Sequence, residues 1–166
     1  MNATVVLRVL DALDAAGIGW GITGGWGIDA LLRRETRTHG DVDLGIASEA
    51  VDAAIEALAS VGYRLDVDER PARVVLQSSD GQVDLHPIIW DASGAGVQKG
   101  LDGDRFDYPA GSLDAEGEVG GRLVRCGTPE LQLTFHDHYE PRDHDRLDMA
   151  ALSAVFGLSL PPAYLD

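Results

Sequence analysis

Thr23-Gly24-Gly25-Trp26, then Asp41-Val42-Asp43, and later Gln82-Val-Asp-Leu-His-Pro-Ile-Ile89 are the stretches whose reading decides the fold. In an extended strand residues i and i+2 share a face, so Asp41 and Asp43 stand roughly 7 Å apart at Cα with parallel side chains. Val42, Leu44 and Ile46 then point the opposite way, toward a core. Asp84 sits inside an otherwise apolar strand, and Gly24-Gly25 reads as a strand-to-helix turn at which backbone N–H groups lie open to an anion. Singly these features are commonplace, since Gly-Gly is usually a turn and Asp-x-Asp a solvated strand edge. Together, three carboxylates on neighbouring strands beside a glycine turn that opens a helix are the parts that hold Mg²⁺ and a nucleoside triphosphate.

Outward from these stretches, Val5, Val6, Val9, Leu10 and Leu13 have helical spacing over residues 3–16, with Gly17 as the stop. Residues 18–23 form a short strand ending at Gly24-Gly25, followed by a helix to about Arg34. After the strand 41–47, Ser48 is placed to cap a helix running to Val61, and Gly62 closes it. Strands follow at 63–68, 72–78 and 82–89, the last two joined by the hairpin signal Ser79-Asp80-Gly81. Residues 91–121 are acidic and glycine-rich, with one short strand at Phe106 and Tyr108. A strand at 122–126 precedes a helix from Thr128-Pro129-Glu130 to about Tyr139, in which Thr128 is the N-cap. A final helix spans 144–156, and Pro161-Pro162 finishes the ordered chain.

With 166 residues, 45% hydrophobic and 25% charged, the composition fits one compact domain, and no run approaches the about 18 apolar residues of a membrane span. The N-terminal residues lack the pattern of a secretory signal and the single cysteine, Cys126, excludes an intramolecular disulfide, which points to the cytoplasm. A net charge of −15 repels a nucleic-acid backbone. Membrane and nucleic-acid partners are thus excluded, while a homodimer is compatible.

The segments Gly24-Gly-Trp-Gly-Ile-Asp-Ala30, Arg37-Thr-His-Gly-Asp-Val-Asp43, Val83-Asp-Leu-His-Pro87 and Leu131-Gln-Leu-Thr-Phe-His136 resemble the small antibiotic nucleotidyltransferases of the DNA polymerase beta-like superfamily. The resemblance runs from about Val6 to Leu158. Two branches are in view, the lincosamide nucleotidyltransferases and the aminoglycoside enzymes that modify a 2''-hydroxyl. The Asp-Leu-His-Pro-Ile and Gln-Leu-x-Phe-His segments look closer to the first, and the negative charge suits a polycationic acceptor of the second.

The resemblance implies an α/β (α+β) nucleotidyltransferase fold, a mixed and mostly antiparallel sheet flanked by helices. Residues 1–126 would form the core and residues 127–166 a helical part closing the cleft. It implies an adenylyltransferase that moves AMP from ATP to an antibiotic hydroxyl with Mg²⁺ as cofactor. Asp41, Asp43 and Asp84 are the expected metal ligands, and Asp84 is also a candidate base for the acceptor hydroxyl. Gly24, Gly25, Arg37 and His39 are expected at the triphosphate. His86, on the face of Asp84, and Trp90, at a strand exit, are candidates for the acceptor, as are Asp102 and Asp104 in the acidic loop running to Glu118.

His144 stands where relatives commonly have lysine, and Asp145 and Asp148 are read as complements to a helix dipole. His136 and His138 lack zinc-ligand spacing. The alternatives are a transferase of the same fold with a different acceptor, and a catalytically silent antitoxin-type module.

Overall fold

The computed structural model describes residues 1–137 and 139–165, with Asp102 described by its backbone alone. Helix α1 (Ala3–Ala15) begins where the Asn2 side chain accepts the Val5 N–H at 3.1 Å, and it buries Val6, Val9, Leu10 and Leu13 as one stripe. Strand β1 (Trp20–Thr23) leads directly into α2 (Gly24–Leu32), which ends with Arg33 in the left-handed region. Strand β2 (Asp41–Ala47) then returns antiparallel to β1.

A single 3₁₀ turn, Ser48–Ala50, precedes α3 (Val51–Ser60). The Ser48 hydroxyl turns to Glu49 instead of capping the helix, which is why the helix begins later than the sequence suggests. Strands β3 (Arg64–Glu69), β4 (Arg73–Ser78) and β5 (Gly81–Trp90) form a meander. Ser78 pairs with Gly81 around a two-residue turn, so Ser79 and Asp80 alone make the loop and Gly81 opens the next strand.

Residues 91–121 hold more structure than their composition suggests. They contain β6 (Gly96–Lys99), β7 (Arg105–Tyr108) and β8 (Ala115–Val119), of which only β7 is legible in the sequence. Strand β8 reads Ala-Glu-Gly-Glu-Val, an alternation whose inward positions are mostly small because α2 packs so closely on it. A Cβ on Gly117 would lie 2.7 Å from the Ala30 carbonyl carbon. Strand β9 (Arg122–Cys126) completes a hairpin with β8.

Helix α4 (Pro129–His136), capped by Thr128, stops three residues short of Tyr139, and α5 (Asp143–Phe156) ends at Gly157 in the left-handed region. The chain remains ordered past Pro161-Pro162: a 3₁₀ turn over Pro162–Tyr164 buries Tyr164, whose hydroxyl donates to the His136 carbonyl at 2.8 Å.

The main sheet has the order β3-β4-β5-β2-β1-β9-β8, with the β6–β7 hairpin joined to the far end of β5. Only β2–β5 and β1–β9 are parallel. On one face Val42, Leu44, Ile46, Val83 and Leu85 pack with α1 and α3 residues in the principal core. On the other face a smaller cluster of Ile88, Tyr108, Leu113 and Leu131 is joined by Phe106 and Phe135. The parallel register sets Asp43 beside Asp84 and Gly45 beside His86. Among the described residues no helix is long and apolar enough to cross a membrane.

The α2–β8 approach is tested by Gly117→Ala, which forces a methyl group into the Ala30 backbone. Urea denaturation should show a loss of about 1–3 kcal/mol. Gly40→Ala, where nothing lies within 4 Å of the added carbon, should stay within about 0.5 kcal/mol of wild type.

Candidate active site

Thr23 ends β1 and the chain enters α2 through Gly24, whose φ of +59° suits glycine. A side chain is excluded there on a second ground, because a Cβ would stand 2.1 Å from Asp43 Oδ2. At Gly25 a Cβ would meet the Arg37 and His39 side chains at 2.6 Å each. The glycine pair therefore lets one carboxylate and one guanidinium close around the helix N-terminus, where unpaired N–H groups and the helix dipole favour anions.

A cleft of about 420 Å³ opens at this point. Thr23, Gly24, Gly25, Arg37, Asp41, Asp43 and His86 form its floor, Phe106, Tyr108 and Phe135 one wall, and Tyr139, Arg142, His144 and Asp145 the rim opposite. The rim and Phe135 come from residues 127–166.

On the floor, Asp43 Oδ1 lies 3.0 Å from His86 Nε2. Donor atoms of Asp43, Asp84 and His86 lie within 4.8 Å of one another. Asp41 stands outside this closest group, one step along the same face of β2, and His86 takes its place beside Asp43 and Asp84. Partial desolvation, and then the charge of Asp43, raise the Asp41 carboxyl above the usual range. Asp84 is more strongly affected. Burial, reinforced by Asp43 and Asp41 and opposed by His86 and Arg73, pushes its pKa up to about 6.

The buried Asp84 Oδ1 has no hydrogen-bond partner among the described residues, and Oδ2 has only Arg73 Nη1, at 3.7 Å. A buried carboxylate oxygen left unpaired beside a second carboxylate is costly in isolation and suits a hard divalent cation. Burial of the His86 ring opposes its protonation, but the Asp43 hydrogen bond and the Asp43 and Asp84 charges prevail and raise its pKa.

Arg37 reaches the cleft and is held from behind by Asp148 of α5, with Nε and Nη2 at 3.1 and 2.9 Å from Asp148 Oδ2. Asp148 is only 3% exposed. Its main partner is thus a side chain distant in sequence, a correction to the dipole reading. Asp145 does serve its own helix start, accepting the Arg142 N–H at 2.9 Å, and also takes Arg142 Nε at 2.8 Å and the Tyr139 hydroxyl at 3.2 Å.

His39 does not line the cleft. It is buried, its Nε2 lies 2.6 Å from Asp29 Oδ2, and Asp29 also accepts the Thr36 N–H and hydroxyl. The expected triphosphate contact is replaced by a structural pair supporting the turn. Asp29 itself was visible in the sequence as a lone charge within an apolar helix.

The acceptor candidates disperse. His86 stays on the floor. Trp90, 37% exposed, leaves the cleft and stands edge-on to Tyr108 beside a separate hollow with Trp20 and Arg125. The Asp102 side chain lies outside the described residues. Asp104 is exposed in a turn closing on Gly100 and is not among the cleft residues. Farther along this loop Asp107 pairs with Arg105, Asp114 with Arg125 and Glu116 with Arg33, on separate surfaces. Among the described residues, no acid of this loop lines the cleft. His138 also lies outside the described residues.

Several cleft residues escaped the sequence reading. Gln132 is fully buried yet lines the cleft, with neither amide atom hydrogen-bonded among the described residues. Phe135 stacks edge-on with Phe106 at 5.8 Å and Tyr108 at 5.0 Å. The Gln132-Leu-Thr-Phe-His136 segment was the signal available for both.

Residues 5–152 match the model of the aminoglycoside-2''-adenylyltransferase family. The chain is 27% identical over 148 residues to a lincosamide resistance protein of Staphylococcus haemolyticus, covering 89% of this chain and 91% of that one. It is 30% identical over 143 residues to a 2''-aminoglycoside nucleotidyltransferase of Escherichia coli, covering 83% and 74%. Among solved structures, the lincomycin-bound lincosamide antibiotic adenylyltransferase LnuA superposes with a TM-score of 0.79 at 26% identity, covering 90% and 95%. The antibiotic-resistance factor ANT(2'')-Ia superposes with a TM-score of 0.76 at 25% identity, covering 93% and 84%.

Two outcomes follow from the charges. Arg37→Met strands the buried Asp148 and should cost about 3 kcal/mol in urea denaturation, whereas Asp148→Asn leaves an arginine able to reach water and should cost about 1 kcal/mol. For Asp84 the native pKa of about 6 exceeds the ordinary aspartate value of 3.8, so ionisation opposes folding. That penalty is absent below the lower pKa and complete above the higher one. In metal-free protein Asp84→Asn should therefore be more stable than wild type near neutrality by about 2–3 kcal/mol, and the difference should vanish as unfolding is followed down through pH 6 to about pH 4.

Proposed function

The chain belongs to the aminoglycoside-2''-adenylyltransferase family, and on that footing we propose that it transfers the adenylyl group of ATP to a hydroxyl of a lincosamide-type antibiotic. The observation that carries this reading is the aromatic wall of Phe106, Tyr108 and Phe135 facing the carboxylate floor. An acceptor with an apolar side gains from burial against such a wall, whereas a polycation would favour a concentration of acidic groups. Among the described acids of the 102–118 loop, Asp107, Asp114 and Glu116 pair with Arg105, Arg125 and Arg33, and none lines the cleft.

Asp41, Asp43 and Asp84 would hold Mg²⁺, which when bound neutralises charge on the triphosphate. The α2 N-terminus and Arg37 receive phosphate oxygens, and Asp148 fixes the guanidinium so that little freedom is lost on binding. Arg142 and His144 add positive and donor groups at the opposite rim. Gln132 offers an amide whose hydrogen-bonding capacity is free for a ligand. Asp84, whose Oδ1 has no partner among the described residues, accepts the proton of the acceptor hydroxyl. The oxygen forms its bond to the α-phosphorus as the bond to pyrophosphate breaks. The setting in this reading is the cytoplasm, where ATP is supplied and the buried Cys126 stays a thiol.

An aminoglycoside acceptor is the second reading, favoured by the net charge of −15. Incubation of lincosamides and aminoglycosides with each of the four nucleoside triphosphates and Mg²⁺, read by product mass, separates them. The expected product is a lincosamide carrying one AMP. Phe135→Ala should raise the KM for this acceptor roughly tenfold, and Asp43→Asn should abolish pyrophosphate release. An aminoglycoside adduct with lincosamides untouched transfers the assignment to the second reading. No adduct and no pyrophosphate release with any acceptor removes both.

A further inference from the structure

Behind His86 the structure continues into a buried chain of side chains. His86 Nδ1 lies 2.9 Å from Nε2 of Gln98 on β6. The same Gln98 nitrogen is 3.0 Å from the Ala72 carbonyl oxygen, and the Tyr108 hydroxyl on β7 is 2.9 Å from Gln98 Oε1. Gln98 is 8% exposed and Tyr108 1%.

Only one orientation of the amide satisfies these contacts. A backbone carbonyl can only accept, so the Gln98 atom facing Ala72 must be the NH₂ group; turning the amide over would set two acceptors against each other. One N–H of that group goes to Ala72 and the other to His86 Nδ1, which must then carry a lone pair. In the neutral ring the proton is left at Nε2, where it donates to Asp43 Oδ1 at 3.0 Å. The Tyr108 hydroxyl donates to Oε1 and completes the set.

The other oxygen of Asp43, Oδ2, faces the start of α2, as shown by its approach to the Cβ position at Gly24. We propose that Gln98 and Tyr108 are positioning residues that lock His86 in the Nε2–H tautomer and thereby fix Asp43 with one oxygen committed to the ring and the other presented to the ligand at Gly24. Both ring nitrogens are occupied in this arrangement. His86 is therefore an orienting group rather than a metal ligand, and the donors left for a cation are carboxylate oxygens, the set that hard cations such as Mg²⁺ take. The β6–β7 hairpin is what brings Gln98 to the ring.

The consequence for turnover rests on the transferase reading; the tautomer does not. Histidine ¹⁵N spectra of metal-free protein, recorded on the alkaline side of the ring's titration and assigned by the signal lost in His86→Gln, should show Nδ1 unprotonated and Nε2 protonated. Gln98→Met keeps the volume and removes the amide donor. It should release the ring into a mixture of tautomers and lower kcat by roughly 10- to 100-fold with acceptor KM unchanged, and Tyr108→Phe should show a smaller change in the same sense. If Gln98→Met does not fold, the wild-type spectrum and Tyr108→Phe carry the test. A wild-type ring protonated at Nδ1 overturns the tautomer, and variants whose ring shifts while kcat is retained overturn the positioning role. An enzyme inactive on every acceptor sinks the transferase reading and leaves the spectra to decide the tautomer.

Discussion

The parallel pairing of β2 with β5 sets Asp43 directly beside Asp84, and two carboxylates at that spacing repel unless something intervenes. Much of the surrounding structure answers that repulsion. His86 engages Asp43, Arg73 stands at a distance from Asp84, and the Asp84 carboxyl moves toward its neutral form. None of these neutralises the pair fully, and Asp84 Oδ1 remains without a protein partner. A rigid scaffold is required to hold such an arrangement, and the β-branched and leucine side chains on the opposite face of the same strands supply it.

The parts of the fold that could be read from sequence are those whose information is local. Strand β2 alternates acid and apolar residues and was placed at its observed limits; α1 shows its stripe and β9 its boundaries. What escaped depends on partners far along the chain. Strand β8 alternates, but with Ala115 and Gly117 on its inward face in place of large apolar residues because α2 packs so closely, and β6 reads Gly-Val-Gln-Lys, with a single apolar side chain larger than glycine. The same division holds at the site. The glycine turn and Asp43, Asp84 and His86 come together as the spacing implied. The buried bond of His39 to Asp29, the hold of Asp148 on Arg37 and the amide of Gln98 behind His86 are tertiary facts. Trp90 was misplaced because strand parity fixes a face but not the point at which the strand leaves the cleft.

The two sides of the cleft differ in how they are secured. The floor is built on strands and carries charges whose positions are specified by register. The far side is built from α4 and the start of α5, and its polar contacts include Arg37 with Asp148 and the Tyr164 hydroxyl with the carbonyl of His136. These contacts flank the cleft-lining Tyr139 and Arg142, which lie between the helices, and His144, in the first turn of α5.

The aromatic pair Phe106–Phe135 belongs to β7 and α4, whereas Asp41, Asp43 and Asp84 stand on β2 and β5. On the proposed reading, the phenyl rings that meet an acceptor and the carboxylates that serve the phosphate stand on different elements. In an evolving population this separates the question of what is modified from the question of whether anything is. On that reading, a change at Phe106 or Phe135 alters the acceptor surface and leaves Asp41, Asp43 and Asp84 in place.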